Sequence, residues 1–596
     1  MVVVKEGQLA GPILLIMASA RLGDPVGTLL RLVLDFFIFC ARYAVLAFVL
    51  FLVAYLVAHR WAYFRQHLTR FSPTPWRKCG TVACLGLVAL FVVIAGWYLF
   101  LDGFAGEVEP VVSSLSWMVN HGHALYNDFG AAERYSVLYG PAVFLTNGLF
   151  LEILGPSLVS AKVASLLGVL GSLVFLYAAL ARRSRDFPAL VVVALAVLYY
   201  WSQGFAVYLV RPDALLVFAV GLGIFAAVRL RPLLAVATVA AALGFALNLK
   251  VHAVVYFLPV LVLLVHRLGW RALWLAGSGA VFVTAAPFLF HPQVSIVNYL
   301  GWLRNAVGHG LTADTLTATL GFALFLVLPL LVLRYVCGPA SLAGPGSRPL
   351  AAGLLPTFVL VLVLAAKPGA GLVHLLPLVP STLYLVGRMI QDGWPDQPAL
   401  RSALVRQPLR QGLVVAAVLT VLVSGAVNEY RAVKLLDWQL SEAPDLAADV
   451  KDVMARYPAL TMAMACGGED ASFRHTWLRP LLVFANQPVL IDPVAVMDCR
   501  LSGKDLAEDT YAALADGTIK MWLVPRSKRP FLKKNWYKPH DPVFSSRFME
   551  HFEAYYAPRA SSRYFDLWFW KGLPAGGAVA AMPVSGWGAR GNLLGP

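Results

Sequence analysis

Residues 102–141 read DGFAGEVEPVVSSLSWMVNHGHALYNDFGAAERYSVLYGP. This connection gathers Asp102, Glu107, Glu109, Asp128, Glu133 and Arg134 between two strongly apolar segments, and no other polar connection this early in the chain holds so many acids. Within it, Pro110 suits the first position of a helix and Gly122 the residue just past its end. Val111, Leu115 and Met118 repeat at helical spacing, while Ser113, Ser114, Ser116 and Asn120 take the other faces. The pattern predicts a short amphipathic helix lying on the membrane surface, with two acids at its N-terminal end. Carboxylates held beside apolar surface are the natural place to look for proton chemistry.

Working outward, the flanking segments set the class. Hydrophobic residues make up 59% of the 596-residue chain and charged residues only 13%. A soluble protein of this length cannot hide so much apolar surface, so the expected fold is an α-helical polytopic membrane protein. After a clean span at 82–101 and the connection quoted above, apolar segments follow at 142–154, 157–181, 188–203, 213–228, 233–249, 251–265, 272–290, 316–333, 350–366, 372–387 and 413–428. This gives about 11–12 transmembrane helices.

The net charge of +16 is not a nucleic-acid signature, because the basic residues cluster in alternate short connections, as the positive-inside rule expects. One set holds Arg60 to Lys78, Arg182, Arg183 and Arg185, Arg229 and Arg231, Arg267 and Arg271, Arg334 and Arg348, and Arg388 to Arg410. The opposite set holds single cations: Arg134, Arg211, Lys250, Arg304 and Lys367. The first set is assigned to the cytoplasm and the second to the far side. Residues 29–56 are long enough to span but carry Asp35 and Arg42. Ala18-Ser19-Ala20 resembles a signal-peptidase site behind a poor basic region.

Beyond Asp437 the composition changes to acids, short apolar runs and turns. Thr461–Ala465, Val489–Ile491, Lys520–Val524 and Tyr564–Trp570 read as strands, and Asp505–Ala515 and Ser546–Tyr555 as helices. The expected organisation is an N-terminal extension over 1–78, a transmembrane catalytic domain over 79–436 and a small extracytoplasmic α/β domain over 437–596. The six cysteines show no zinc spacing. Cys466 and Cys499 are the pair that an oxidising compartment would allow to join.

Glu107 is the preferred general base of the loop. Glu109 precedes Pro110, where an acid also serves as a stabilising charge at a helix N-terminus. Asp128, in Tyr126-Asn127-Asp128-Phe129, is a second candidate acid or a turn-forming aspartate. Glu133 and Arg134 read as a surface pair. Of the outer cations, Arg211, Lys250, Arg304 and Lys367 oppose the orientation bias, and a fixed anion such as a lipid-linked phosphate gives them a reason beyond snorkelling to headgroups. Lys367-Pro368-Gly369-Ala370-Gly371 offers glycines for close backbone approach to that group. His252 and His374 read as hydrogen-bonded core groups rather than metal ligands, and no DxD motif holds a divalent metal.

Glu107, Met118 and Gly122, then Tyr126-Asn-Asp-Phe and Tyr139-Gly-Pro, together with Arg211-Pro-Asp, Lys250 and Lys367-Pro-Gly-Ala-Gly, resemble the GT-C superfamily of polytopic glycosyltransferases. That group includes the protein mannosyltransferases and the lipid A aminoarabinose transferase. The likeness covers about residues 80–390. It departs from the family at Glu107-Val-Glu109, where the family usually opens with Asp, and at the added segment 29–56. The resemblance implies transfer of a hexosyl or pentosyl group from a polyprenyl-phosphate donor to a glycan, lipid or protein acceptor at the outer face of a bacterial inner membrane. No cofactor is required, with a divalent metal left open, and no nucleic acid is expected. Catalysis would fall to Glu107, Glu109 and Asp128. Donor phosphate binding would fall to Arg211, Lys250, Lys367 and Arg304, and substrate binding to Tyr139, His252 and His374. The rival reading is a flippase for lipid-linked glycans, which would be expected to show internal repeats and mid-membrane polar residues.

Overall fold

The computed structural model describes residues 44–60, 73–181, 186–307, 309–338, 342, 344, 346–393, 408–468, 471–536 and 540–574. Ala18-Ser19-Ala20, the first part of the 29–56 segment, Arg65, Arg70, and Arg182, Arg183 and Arg185 lie outside them. The chain divides into two compact units. One comprises Met1–Tyr126 with Val137–Ser441, and the other Asn127–Ser136 with Glu442–Pro596.

The first unit is helical. Among the described residues, nine helices are long and apolar enough to cross a membrane, and four shorter apolar helices accompany them: Phe48–Arg60, Pro141–Leu154, Phe187–Trp201 and Pro232–Leu247. The chain is an integral membrane protein. The helices lie where the apolar runs predict them, with Leu158–Leu180, Pro212–Arg229 and Trp270–Phe290 close to the expected bounds. The run 413–428 is only the centre of a longer helix, Pro408–Gln439. Small residues let backbones meet, as membrane helices require. A Cβ on Gly425 would stand 2.6 Å from the Leu198 carbonyl oxygen, and one on Gly353 2.7 Å from Pro259 Cα.

The helix expected on the membrane surface forms, spanning Val108–Asn120, but every residue from Glu109 to Val119 is buried in the protein. The surface placement is therefore corrected. The serines that made the helix look amphipathic are small enough to pack. Ser116 Oγ returns to the Val112 carbonyl at 2.7 Å, which removes its need for water. On the neighbouring helix Pro141–Leu154, Gly148 lies so close that a Cβ there would be 2.8 Å from the Ser116 carbonyl oxygen. Gly122 does end the helix, at φ +88°, and His123 N reaches back to the Met118 carbonyl at 3.0 Å, closing the αL terminus that glycine permits.

The second unit carries a four-stranded sheet in the order β1-β2-β4-β3. β1 (Met462–Met464) runs parallel to β2 (Met521–Pro525), while β4 (Phe565–Trp570) is antiparallel to both β2 and β3 (Tyr556–Ser561). The helices Glu508–Ala515 and Ser546–Tyr555 match expectation. Trp522, Phe531, Phe544, Phe548, Phe552 and Tyr556 form an aromatic core. β3 escaped the sequence reading because Pro558, Arg559 and small residues mask any alternation, as suits an edge strand. The 489–491 run joins no strand of the sheet. Instead Ile491 bridges Arg134 in parallel, with Arg134 N donating to the Leu490 carbonyl at 2.7 Å and Asp492 N to the Arg134 carbonyl at 2.8 Å. Part of the quoted loop thus folds as a piece of the C-terminal unit.

Arg134 is accordingly no surface residue. It is 1% exposed, its guanidinium lies 5.3 Å from the Phe129 ring centroid, and it donates to the Phe129 carbonyl at 2.6 Å. A planar fork clamping backbone carbonyls needs that burial. Cys466 and Cys499 are both buried, and no disulfide joins them.

Candidate active site

The first unit builds its site from the start of the 102–141 loop. Glu109 is fully buried, and its carboxylate accepts four hydrogen bonds. Ala105 N at 2.9 Å and Gly106 N at 3.0 Å reach one oxygen, and Tyr98 Oη at 2.6 Å and Val210 N at 2.8 Å reach the other. Burial raises the Glu109 carboxyl above its ordinary value, against the lowering effect of the bonds from Tyr98 and Val210 and of the nearby Lys162 ammonium. With its lone pairs filled, this side chain pins the loop rather than presenting a free base.

Lys162, which the sequence reading passed over inside an apolar run, completes the anchor. Its ammonium is 1% exposed and donates to the Leu101 carbonyl at 2.7 Å and the Tyr98 carbonyl at 3.0 Å. It thereby caps the end of the helix Pro73–Leu99, where a cation meets orphan carbonyls. A lone lysine within an apolar segment was the available signal.

Glu107 has a different setting. It stands at the N-terminal boundary of the helix Val108–Asn120 in αR conformation and makes no side-chain cap. It is 4% exposed, and both carboxylate oxygens are buried. The two-residue spacing turns it away from the bonds that occupy Glu109, as a regular backbone dictates.

Two of the isolated cations, Arg211 and Lys250, converge. Arg211 precedes the helix Pro212–Arg229, and Lys250 precedes a 3₁₀ turn at Val251–Ala253. Their charges meet on Asp213, with Lys250 Nζ at 2.8 Å from Oδ1 and Arg211 Nε at 3.4 Å from Oδ2. Arg211 and Lys250 are 4% and 6% exposed, and Asp213 is fully buried, so neither cation snorkels. Asp213 is the member to which the sequence reading, quoting it only within Arg211-Pro-Asp, assigned no role. Its signal was an acid one residue inside an apolar helix, directly after Arg211-Pro212. Removing one partner from such a buried cluster typically costs about 3–5 kcal/mol.

His252 and His374 join this cluster, their rings stacked with centroids 5.2 Å apart, and Tyr256 meets His252 edge-on at 5.9 Å. Lys367 lies within electrostatic range of His252. The Lys367-Pro-Gly-Ala-Gly turn carries left-handed glycines, with Gly369 at φ +81° and Gly371 at φ +62°. Three buried polar atoms here, His252 Nε2, His374 Nδ1 and Tyr256 Oη, have no hydrogen-bond partner among the described residues. Buried polar groups are nearly always paired. These three atoms stand beside Arg211, Lys250, Lys367 and the Asp213 carboxylate.

Backbone contacts join the two halves of this site. Glu109 takes the amide of Val210, the residue before Arg211. At the other end of the loop, Gly140 N donates to the Leu249 carbonyl and Ala142 N to the Asn248 carbonyl, both at 3.0 Å, directly before Lys250. Tyr139 is placed by the same contact and accepts a bond from Tyr126 Oη at 2.7 Å through its carbonyl.

Two sequence candidates lie elsewhere. Asp128 folds within the C-terminal unit, exposed, with Oδ1 accepting from Gly130 N at 2.7 Å, the turn-forming arrangement. Arg304 is exposed in the last turn of the helix Ile296–Val307 and takes no part in the cluster's contacts described above. Among the described residues no group of three or more histidine, cysteine or acidic side chains is placed to hold a metal ion.

No protein-family model and no curated protein sequence matches the chain. Solved structures similar to it include ArnT from Cupriavidus metallidurans bound to undecaprenyl phosphate, at 15% identity and TM-score 0.48, covering 81% of this chain and 98% of that one. The apo oligosaccharyltransferase of Archaeoglobus fulgidus is similar at 12% identity and TM-score 0.41, covering 81% of this chain and 74% of that one. The arabinosyltransferase EmbB from Mycobacterium smegmatis is similar at 12% identity and TM-score 0.38, covering 61% and 42%.

Proposed function

We propose that this membrane protein is a GT-C-type glycosyltransferase that moves a sugar from a polyprenyl-phosphate donor to an acceptor hydroxyl at the outer face of the membrane. The observation that carries the reading is the buried cluster of Arg211, Lys250 and Asp213 with the orphaned atoms of His252, Tyr256 and His374. The donor's phosphodiester brings one negative charge to Arg211, Lys250 and Lys367, the departing polyprenyl phosphate monoester gains a second, and the sugar supplies hydroxyls for the imidazoles and the phenol.

In this reading Glu107 accepts the proton of the acceptor hydroxyl as its oxygen attacks the anomeric carbon. The bond from that carbon to the phosphate oxygen breaks, and polyprenyl phosphate leaves with the electron pair, inverting the anomeric centre. Arg211 and Lys250 stabilise the charge that develops on the leaving oxygen, a contribution typically worth about 10²–10³ in rate for one well-placed donor. Asp213 holds those cations in place, and Glu109 fixes the loop that carries Glu107. The chain passes through the C-terminal unit both at 127–136, inside the outer loop, and after Ser441. This supports an extracytoplasmic location for that unit. Hexose against pentose, and glycan against lipid or protein acceptor, belong to the same proposal and are decided by trial donors and acceptors.

Binding of polyprenyl phosphate to the purified protein, followed by native mass spectrometry, tests the reading. Lys250→Met is expected to lose at least about tenfold in affinity, and Arg304→Met to lose none. Equal binding by wild type and Lys250→Met would remove the phosphate from this cluster.

A further inference from the structure

Between β2 and the helix Ser546–Tyr555 the C-terminal unit carries Arg526-Ser527-Lys528-Arg529-Pro530-Phe531-Leu532-Lys533-Lys534. Five of these nine residues are cationic. Such a run is by default a solvated face, but its backbone is built in a way that a solvated face does not need. Ser527 and Phe531 both sit in the left-handed region, at φ +59° and +61°, a conformation that a bulky residue such as phenylalanine rarely adopts. The loop is held there from both ends. Ser527 N donates to Asp566 Oδ2 at 2.7 Å, and Phe531 N to the Cys466 carbonyl at 2.6 Å.

The strained turn has one visible result. Phe531 is driven into the aromatic core, 2% exposed, and the next apolar side chain, Leu532, is left 42% exposed. Lys528 and Lys534, on either side of Leu532, are exposed, as is Arg526. Arg529 pairs with Glu553 at 2.7 Å, and Lys533 is buried between the rings of Phe473 and Trp536. Those two cations build the knuckle, and Arg526, Lys528 and Lys534 are exposed around one projecting leucine.

We infer that this knuckle is a contact for anionic lipid headgroups, with Leu532 entering the interfacial layer of the bilayer and the surrounding cations meeting lipid phosphates. An apolar tip ringed by exposed cations suits a surface that is anionic outside and apolar beneath, whereas a soluble polyanion has no use for the leucine. The unit is also covalently tied to the membrane helices at both ends of 127–136 and again at Ser441–Glu442. The chain therefore keeps bilayer at high effective concentration. The inference requires only a membrane-embedded chain and does not depend on the proposed sugar transfer.

Hydrogen exchange of the full-length protein in lipid nanodiscs tests it, comparing discs of phosphatidylcholine alone with discs containing about one-third phosphatidylglycerol. Amides of 526–534 are expected to exchange about tenfold more slowly in the anionic discs. That protection should vanish in Leu532→Ser and in Lys528→Glu/Lys534→Glu, with exchange of β2 unchanged as the measure of folding. Equal exchange in the two discs would overturn the inference. So would protection produced by soluble polyglutamate in phosphatidylcholine discs but not by phosphatidylglycerol, which would make the knuckle a polymer-binding surface instead.

Discussion

Two glutamates, two residues apart, divide the work that the loop must do. Glu109 spends its carboxylate on Tyr98, Ala105, Gly106 and Val210, so its loss is felt as stability. Glu109→Gln keeps the size but replaces one acceptor oxygen by an amide that faces donors, and the expected cost is about 1–3 kcal/mol. Thermal unfolding in detergent should show a lowered midpoint for Glu109→Gln and an unchanged one for Glu107→Gln; the reverse order would exchange their roles. The sequence made both acids visible and offered for Glu109 a general base or a charge at the helix start, whereas its carboxylate anchors the loop. It did not reveal the four donors, because Tyr98 and Val210 lie on other elements. Asp213 was hidden for a related reason. One acid next to Arg211 and Pro212 looks like a helix start, and only the fold brings Lys250 from 37 residues away onto its other oxygen.

At the scale of elements, periodicity located the helices, and turn chemistry located their ends, as with Gly122. What periodicity misjudged was the environment of the helix Val108–Asn120. Serines alternate with apolar residues both on a membrane-surface helix and on a buried helix that packs closely, and Gly148 on the neighbouring helix decided for burial. The end of the loop makes the same kind of close approach. A Cβ on Gly140 would lie 2.1 Å from the Asn248 carbonyl oxygen, and that atom is backbone and has no rotamer to escape into. Gly140→Ala is therefore expected to push the loop away from Lys250 and to destabilise the protein by at least about 1–3 kcal/mol. Gly122→Ala meets no atom within 4 Å and carries only the cost of its left-handed backbone, about 1 kcal/mol. Thermal midpoints of the two variants should fall in that order, and a larger loss for Gly122→Ala would contradict the packing account.

For the whole molecule, composition alone established a polytopic membrane protein followed by a small α/β unit. The break expected at 437 falls at Ser441–Glu442. Sequence order could not show that Asn127–Ser136 leaves the membrane unit to join the C-terminal one, since the bonds of Arg134 to Leu490 and Asp492, and of Thr510 to Ala132, span more than 350 residues. The units are therefore not independent modules. A chain ending at Ser441 is expected to leave 127–136 without its partners, and limited trypsin digestion should then cut at Arg134, which full-length protein buries. Equal resistance at Arg134 in both proteins would show that the loop holds its own structure.

The most direct test of the central claim is transfer of radiolabelled sugar from polyprenyl-phosphate donors by purified protein, with wild type, Glu107→Gln and Lys250→Met compared at equal folded concentration. The account predicts transfer by wild type and a loss of about 10²–10⁴ in kcat for Glu107→Gln, the range for removing a general base. Lys250→Met should lower kcat/KM through both donor binding and leaving-group stabilisation. Transfer by Glu107→Gln at the wild-type rate would contradict the assignment of the base. Absence of transfer by wild type from every polyprenyl-phosphate sugar tried, with the phosphate still bound at Lys250, would instead make the cluster the binding site of a lipid-linked glycan transporter.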